Sequence, residues 1–172
     1  MADFLAGQVP TAAELNLAAK PGTILGKAQR ITDSTTATSA TDVAVLELPD
    51  IAITAGRIYE IRATARIDTS VAANLGRIRL RYTTDGSTPT NTSTIMPNGQ
   101  SEASIANTAF GEDRIISATY VPAGNETLSL LLCVSMQSGS GNVITQADGT
   151  NIITEITVTD CGVDPGDTGI DK

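Results

Sequence analysis

Five arginines on two neighbouring stretches of the chain could bind carboxylates. They are, in chain order, Arg62, Arg66, Arg77, Arg79 and Arg81. The planar guanidinium fork holds a carboxylate through two parallel hydrogen bonds, so arginine suits docking against an acidic protein surface. The alternative is a solvated sheet face on which Glu47, Glu60 and Asp68 form surface ion pairs, each worth little.

The alternation of residue types predicts that both stretches are half-buried β-strands. From Tyr59 to Asp68 the odd positions are apolar and the even positions are polar, and from 77 to 82 arginines alternate with apolar residues. Side chains of a strand point alternately to its two faces. If the two strands pair as a hairpin, all five arginines lie together on the outer face of one sheet. A cationic face on a chain of net charge -8 favours a role in binding another protein.

Other residue types give little support for catalysis or metal binding. The chain has no histidine, which removes the commonest general base and a common metal ligand. Cys133 lies in a leucine-rich stretch, where we expect an unreactive buried thiol, and its pairing with Cys161 stays open. Asp164, Asp167 and Asp171 match no calcium loop and are interpreted as a solvated tail. We therefore predict a protein that is not an enzyme, with no cofactor and no metal.

Composition predicts one all-β domain. The chain has 172 residues, of which 41% are hydrophobic and 3% aromatic, so its core must be aliphatic. Short β-branched runs separated by small polar residues predict a sandwich or a barrel. Leucine on both faces of residues 127–137 predicts a strand buried on both sides, and residues 94–96 and 103–105 are candidates for short edge strands. The acidic balance and scarce aromatics argue against nucleic-acid binding, and no apolar run could cross a membrane.

The first twenty residues predict an apolar arm followed by a short helix. Thr11 and Glu14 form a capping box, and Pro21 with Gly22 would end the helix. A helix this short is unstable alone and must dock on its own sandwich or on a neighbour. The candidate anchoring residues of this arm are Phe4, Leu5, Val9 and Leu15. The opening residues lack a basic start and a long apolar stretch, so we expect synthesis in the cytoplasm without a signal peptide.

Two groups of segments resemble virion proteins. Residues 6–16 read Ala6-Gly7-Gln8-Val9-Pro10-Thr11-Ala12-Ala13-Glu14-Leu15-Asn16. This segment resembles the opening segment of many tailed-bacteriophage head or tail proteins. Three later segments read Arg57-Ile58-Tyr59-Glu60-Ile61-Arg62-Ala63, Asn74-Leu75-Gly76-Arg77-Ile78-Arg79 and Tyr120-Val121-Pro122-Ala123-Gly124. Together they are similar to small β-sandwich proteins from phages of actinobacteria. The resemblance covers about half of the chain. It implies a non-enzymatic virion component.

A third, shorter stretch implies an alternative function. It resembles a turn in Fn3-like accessory domains of chitin-active enzymes and reads Tyr82-Thr83-Thr84-Asp85-Gly86-Ser87-Thr88-Pro89-Thr90. The resemblance implies a carbohydrate-binding module. Against it, sugar sites usually offer an aromatic platform, the chain has no tryptophan, and an Asp-Gly pair favours a turn in any context.

Taken together, the residues and the resemblance give one set of expectations. The fold is an antiparallel β-sandwich, jelly-roll-like, with the arm and helix in residues 1–22, the sandwich in 23–160 and an acidic tail in 161–172. The function is that of a capsid decoration protein bound to the outer surface of the head as a homo-oligomer, such as a trimer. Its partners are its own copies and the major capsid protein or other virion proteins. The alternative within the virion is a minor tail or fibre-head protein that contacts the host.

Overall fold

The structure is a computed structural model that describes residues 21–105 and 111–166, so the predicted arm and helix lie outside the described residues. The described part is built from nine strands and has no helix. The strands are β1 Thr23–Arg30, β2 Val43–Ile53, β3 Arg57–Thr69, β4 Asn74–Thr83, β5 Ile95–Ile105, β6 Glu112–Tyr120, β7 Glu126–Ser138, β8 Val143–Gln146 and β9 Thr154–Val163.

The strands form two antiparallel sheets. The five-stranded sheet has the order β1-β9-β3-β6, with the short β8 also paired to β3, and the four-stranded sheet has the order β2-β7-β4-β5. The first and last strands are therefore neighbours, and the chain passes repeatedly from one sheet to the other. The alternation of the chain between the order β1-β9-β3-β6 and the order β2-β7-β4-β5 is the strand arrangement of a jelly roll. The prediction of an antiparallel β-sandwich is confirmed.

The expected hairpin between the two arginine strands is wrong. β3 pairs with β6 and β9, whereas β4 pairs with β5 and β7 in the other sheet. After Thr69 the chain arches across the sandwich, and β3 and β4 face each other through the core. Their inner faces are so close that a Cβ on Gly76 would lie 2.6 Å from Cγ2 of Ile67. Alternation shows which side of a strand is buried, but it carries no information on which strand pairs with it.

The core lies between the two sheets and is aliphatic, as the composition predicts. The alternating apolar residues of β3, from Tyr59 to Ile67, are at most 3% exposed. In β7 the inner residues are fully buried, and the outer residues Leu131 and Cys133 are only 6% and 0% exposed. The strand is central in its sheet and covered on both sides, which confirms the prediction for residues 127–137.

Several strands run through irregular backbone, and two of them, β5 and β9, depart from the predicted bounds. β2 continues past Pro49 and Asp50 through a register shift between Leu48 and Ile51. The two short edge strands predicted near 95 and 104 are parts of one edge strand, β5. β9 runs to Val163, three residues into the segment that the sequence assigns to the tail.

Candidate functional site: the outer face of the five-stranded sheet

The outer face of the four-stranded sheet is closed by ion pairs within the chain. Asp42, directly before β2, is 4% exposed. Its Oδ2 accepts hydrogen bonds from Nε and Nη2 of Arg81 at 2.8 and 2.6 Å, and its Oδ1 accepts one from Nη1 of Arg79 at 3.2 Å. Arg81 Nη1 also donates to the carbonyl of Ser93, and Asn91 donates to the carbonyl of Asp42 at 3.0 Å. These bonds fasten the segment before β5 over the sheet.

Arg77 is held on the same face by side chains of the adjacent strands. Its Nε and Nη2 donate to the hydroxyl of Ser135 at 3.3 and 3.2 Å, and its Nη1 donates to the side-chain oxygen of Gln137. Glu102 lies 3.8 Å away on the other side. Burial, followed by repulsion from Arg79, lowers the pKa of Arg77 from its ordinary value.

The structure therefore divides the predicted five-arginine surface. Arg77 and Arg81 are only 5% and 9% exposed, and both use their donors within the chain. They are structural residues of the four-stranded sheet. Sequence reasoning missed Asp42, the residue that binds them, because it lies in a loop and its place beside β4 depends on how β2 and β4 flank β7. Arg62 and Arg66 lie on the outer face of the other sheet.

Cys133 is an unreactive thiol under this network, as expected from the sequence. It is fully buried in β7, and burial, with a further contribution from the charge of Asp42, raises its pKa to about 12. The thiolate, which is the nucleophilic form, is therefore disfavoured. Cys161 is exposed, and both cysteines are free.

Outward side chains of the five-stranded sheet form a regular grid. Cross-strand pairing places Arg62 between Thr157 and Ser117, and the next outward position of β3, Thr64, between Glu155 and Ile115. Arg66 follows, between Gln146 and Asp113. Outward positions of one strand repeat every two residues, so Arg62 and Arg66 are about 13 Å apart along β3.

Arg62 and Arg66 differ from the arginines of β4 in their contacts within the chain. Arg62 is exposed, Arg66 is half-buried, and neither forms a hydrogen bond or an ion pair within residues 21–105 and 111–166. The Nε of Arg66 is shielded from solvent and unsatisfied. That nitrogen is out of reach of a ligand, so the donors offered by this face are the other N–H groups of the two guanidiniums.

A shallow groove follows this part of β3, and we call it the β3 groove. It consists of two adjoining depressions with volumes of about 250 and 330 Å³, which share Thr64, Asn151 and Ile153. The lining contributed by one depression includes Arg66, Asp113 and Ile115, and that of the other includes Arg62, Glu155 and Thr157. Ile115 is 53% exposed, so an apolar patch flanks the polar floor.

One wall of the β3 groove is the loop before β9, which is organised by Asp148. Its Oδ1 accepts hydrogen bonds from the backbone amides of Thr150, Asn151 and Ile152 at 2.8 to 2.9 Å. These amides lower the pKa of Asp148, because they stabilise the ionised carboxylate. The loop thereby presents Asn151 and Ile153 to the groove.

The groove carries charges of both signs. Asp113 faces Arg66 across the β3–β6 pair, and Glu155 lies near Arg62. Burial alone would raise the pKa of Glu155, but hydrogen bonds and the charge of Lys27, with a hydrogen bond from Gln29, lower it overall. Lys27 Nζ and Gln29 Nε2 both contact Oε2 of Glu155, at 2.8 and 2.6 Å. The face that the sequence suggested to be cationic is thus a mixed face with both signs of charge.

A second buried ion pair escaped the sequence analysis. Arg57 and Asp160 are 1% and 3% exposed and form two hydrogen bonds of 2.8 Å at one end of the core. The alternation contains the clue, since Arg57 shares the parity of Tyr59 and Asp160 that of Val158. Both side chains therefore had to point inward, where opposite charges must pair.

The remaining predicted residues, Phe4, Leu5, Val9 and Leu15, lie outside the described residues. Within residues 21–105 and 111–166, no three acidic or cysteine side chains are grouped so that they could hold a metal ion. The same residues include no helix that is long and apolar enough to span a membrane.

Comparisons with known proteins find distant structural likeness and no sequence match. No protein-family model and no curated protein matches the chain. The CBM22-1 xylan-binding domain of Xyn10C from Paenibacillus barcinonensis has a TM-score of 0.39 at 10% identity, over 85% of this chain and 99% of that one. The C-terminal domain of the sugar-binding protein EclA gives 0.38 at 15% identity, over 90% and 99%. A structure of infectious bursal disease virus, strain Gx, gives 0.40 at 12% identity, over 86% of this chain and 38% of that one.

Proposed function

We propose that this chain is a non-enzymatic bacteriophage virion protein, and more specifically a capsid decoration protein that binds the outside of the head as a homo-oligomer. The proposal draws its virion assignment from the resemblance of residues 6–16 and of the later segments to phage structural proteins. Within it, residues 1–20 anchor the chain to the particle through the apolar side chains of Phe4, Leu5, Val9 and Leu15.

The observation that carries a binding role is the contrast between the two outer faces. One is closed by Asp42 and its arginines, whereas the other is open, grooved and supplied with the unused donors of Arg62 and Arg66. Of the five arginines proposed as a partner interface, these two form no hydrogen bond or ion pair within the described residues, whereas Arg79 is partly exposed but bound to Asp42 and Gln100.

Decoration would stabilise the head by mass action, because only the assembled shell offers the binding site. The experiment adds full-length protein, or protein without residues 1–20, to phage heads that lack it and quantifies bound copies on a gel. We expect the full-length protein to bind in hundreds of copies and the truncated protein not to bind to the heads. Full binding of the truncated protein would disprove the anchoring role.

The location on the particle is tested separately with antibody-labelled virions. Labelling over the whole head, with a copy number in the hundreds, supports the decoration role. Labelling at the tail tip, with a handful of copies, would replace it by the minor tail alternative. A protein absent from purified virions would overturn both virion roles.

A further inference from the structure

We propose that the β3 groove is a binding cleft for a neutral polysaccharide chain. This goes beyond the proposed virion role, because the groove would bind a glycan whether the protein sits on the head or on the tail. The inference rests on the hydrogen-bonding inventory of the groove, its charge balance and its shape.

The groove offers donors and acceptors that the chain itself leaves unused. In the described residues, Arg62 and Arg66 donate no hydrogen bond, and the hydroxyls of Thr64 and Thr157 have no side-chain partner. On the acceptor side, Lys27 and Gln29 both contact Oε2 of Glu155, so its Oε1 remains available as an acceptor. Each sugar hydroxyl is both a donor and an acceptor, so a polyol is satisfied only where both kinds of group are presented together.

Charge balance selects a neutral ligand. Three arginines line the groove, Arg62, Arg66 and Arg114. Arg114 is paired with Glu112, and the other two guanidinium groups lie near the carboxylates of Asp113 and Glu155. An acidic peptide, a nucleic acid or a polyuronate would gain from the arginines but would be repelled by the carboxylates over similar distances. Uncharged hydroxyls, by contrast, can hydrogen-bond to both, and bonds to charged groups are the stronger kind.

The shape and the apolar flank fit a chain of rings. The two depressions adjoin at Thr64, Asn151 and Ile153, which suits successive units of a polymer better than a single compact ligand. Ile115 and Ile153 provide aliphatic surface for the C–H faces of the rings. No aromatic side chain lines either depression, so we expect weak binding, with a Kd on the order of 0.1–1 mM.

The test is isothermal titration of the full-length protein with neutral hexaoses, namely xylohexaose, cellohexaose, laminarihexaose and mannohexaose, and with polygalacturonate as the acidic comparator. We expect saturable binding of at least one neutral hexaose. Thr64→Arg fills the floor of the groove and should weaken that binding at least about tenfold. Thr119→Arg is the matched control, because Thr119 is exposed on the same face beside Glu60, outside the groove, and should bind as the original protein does.

Arg62→Gln provides a second variant at an exposed position and should also weaken binding, should Thr64→Arg fail to fold. No saturation with any neutral hexaose up to about 10 mM would overturn the proposal. So would equal binding by the Thr64→Arg and Thr119→Arg proteins, or a preference for polygalacturonate. These results are independent of particle labelling, so failure of the glycan cleft and failure of the virion role are distinguishable.

Discussion

Strands β3 and β4 look alike in sequence and serve different purposes. Both alternate arginines with apolar residues, both bury their apolar side against the same core, and only a short arch separates them. The arginines of β4 point to a face where Asp42, Ser135 and Gln137 meet them. Those of β3 point to a face where Arg62 and Arg66 form no hydrogen bond or ion pair with other described residues. The comparison teaches that the neighbours of a strand decide whether a charged side chain supports the fold or remains free for a ligand.

Removing Asp42 should have the largest effect. Asp42→Ala leaves Arg81 and Arg79 without their shared carboxylate on a closed face, and loss of one partner of a buried pair costs about 3–5 kcal/mol. The free energy of unfolding, measured by urea denaturation, should fall by that amount. Asp113→Ala is the control on the open face and should change it by about 0.5 kcal/mol or less. Equal effects of the two substitutions would contradict the contrast between the faces.

A methyl group on Gly76 should have the second-largest effect on stability. This substitution tests whether β3 and β4 meet across the core. Gly76→Ala places a Cβ 2.6 Å from Cγ2 of Ile67 and 3.1 Å from Cγ1 of Val143. Overpacking of this kind costs about 1–3 kcal/mol in the free energy of unfolding. Gly124→Ala, whose Cβ meets nothing within 4 Å, serves as the control and should be neutral. An unchanged stability of the Gly76→Ala protein would mean that the two strands are farther apart.

Acidification should affect the open face locally, through Asp148. Its pKa is lowered by backbone hydrogen bonds, so the order it gives to the loop is fully present above the unfolded pKa of about 3.9 and is lost as the pH falls through the lower folded value. The amide resonances of Thr150, Asn151 and Ile152 should therefore titrate with a midpoint below about 3.9. An Asp148→Asn protein should lack this titration. A midpoint at or above the unfolded value would show that the loop is not held by this carboxylate.

Neutralising the arginines of β3 should have the smallest effect on stability. Arg62→Gln and Arg66→Gln remove side chains that form no hydrogen bond or ion pair within the described residues, so each should change the free energy of unfolding by about 0.5 kcal/mol or less. Arg81→Gln leaves Asp42 without its main partner and should cost several times more. Urea denaturation of the three variants compares them directly. A large loss for Arg62→Gln would assign it a structural role that the contacts do not show.

The sequence predicts the local features of this molecule and misses the long-range ones. Alternation identifies the inner residues of β3, and leucines on both faces identify β7 as a strand buried on both sides. Both predictions succeed because the residue types within a strand reflect which of its sides are buried. It does not reveal that β3 and β4 belong to different sheets, since pairing depends on contacts between segments far apart in the chain. The role of Asp42 depends on that pairing. The alternation of residue types therefore could not predict that the arginines separate into two groups on different sheets.

The candidate site shows the same limit. Arg62 and Arg66 could be singled out from their types and spacing, and their role as a partner surface stays a prediction. The groove beside them also requires β6, β9 and the loop held by Asp148, which come together only in the folded sheet. Nothing in residues 57–68 alone indicates that Asp113 and Glu155 would balance their charge.

The position of β9 has a consequence for how the molecule is made. It lies between β1 and β3, and among the described strands it comes last in the chain. Until it inserts, β1 has no partner among the described strands, and one edge of β3 lacks most of its hydrogen-bond partners. Such dependence on distant segments slows folding to the order of milliseconds to seconds. The grooved face is therefore among the last parts of a newly synthesised chain to take shape.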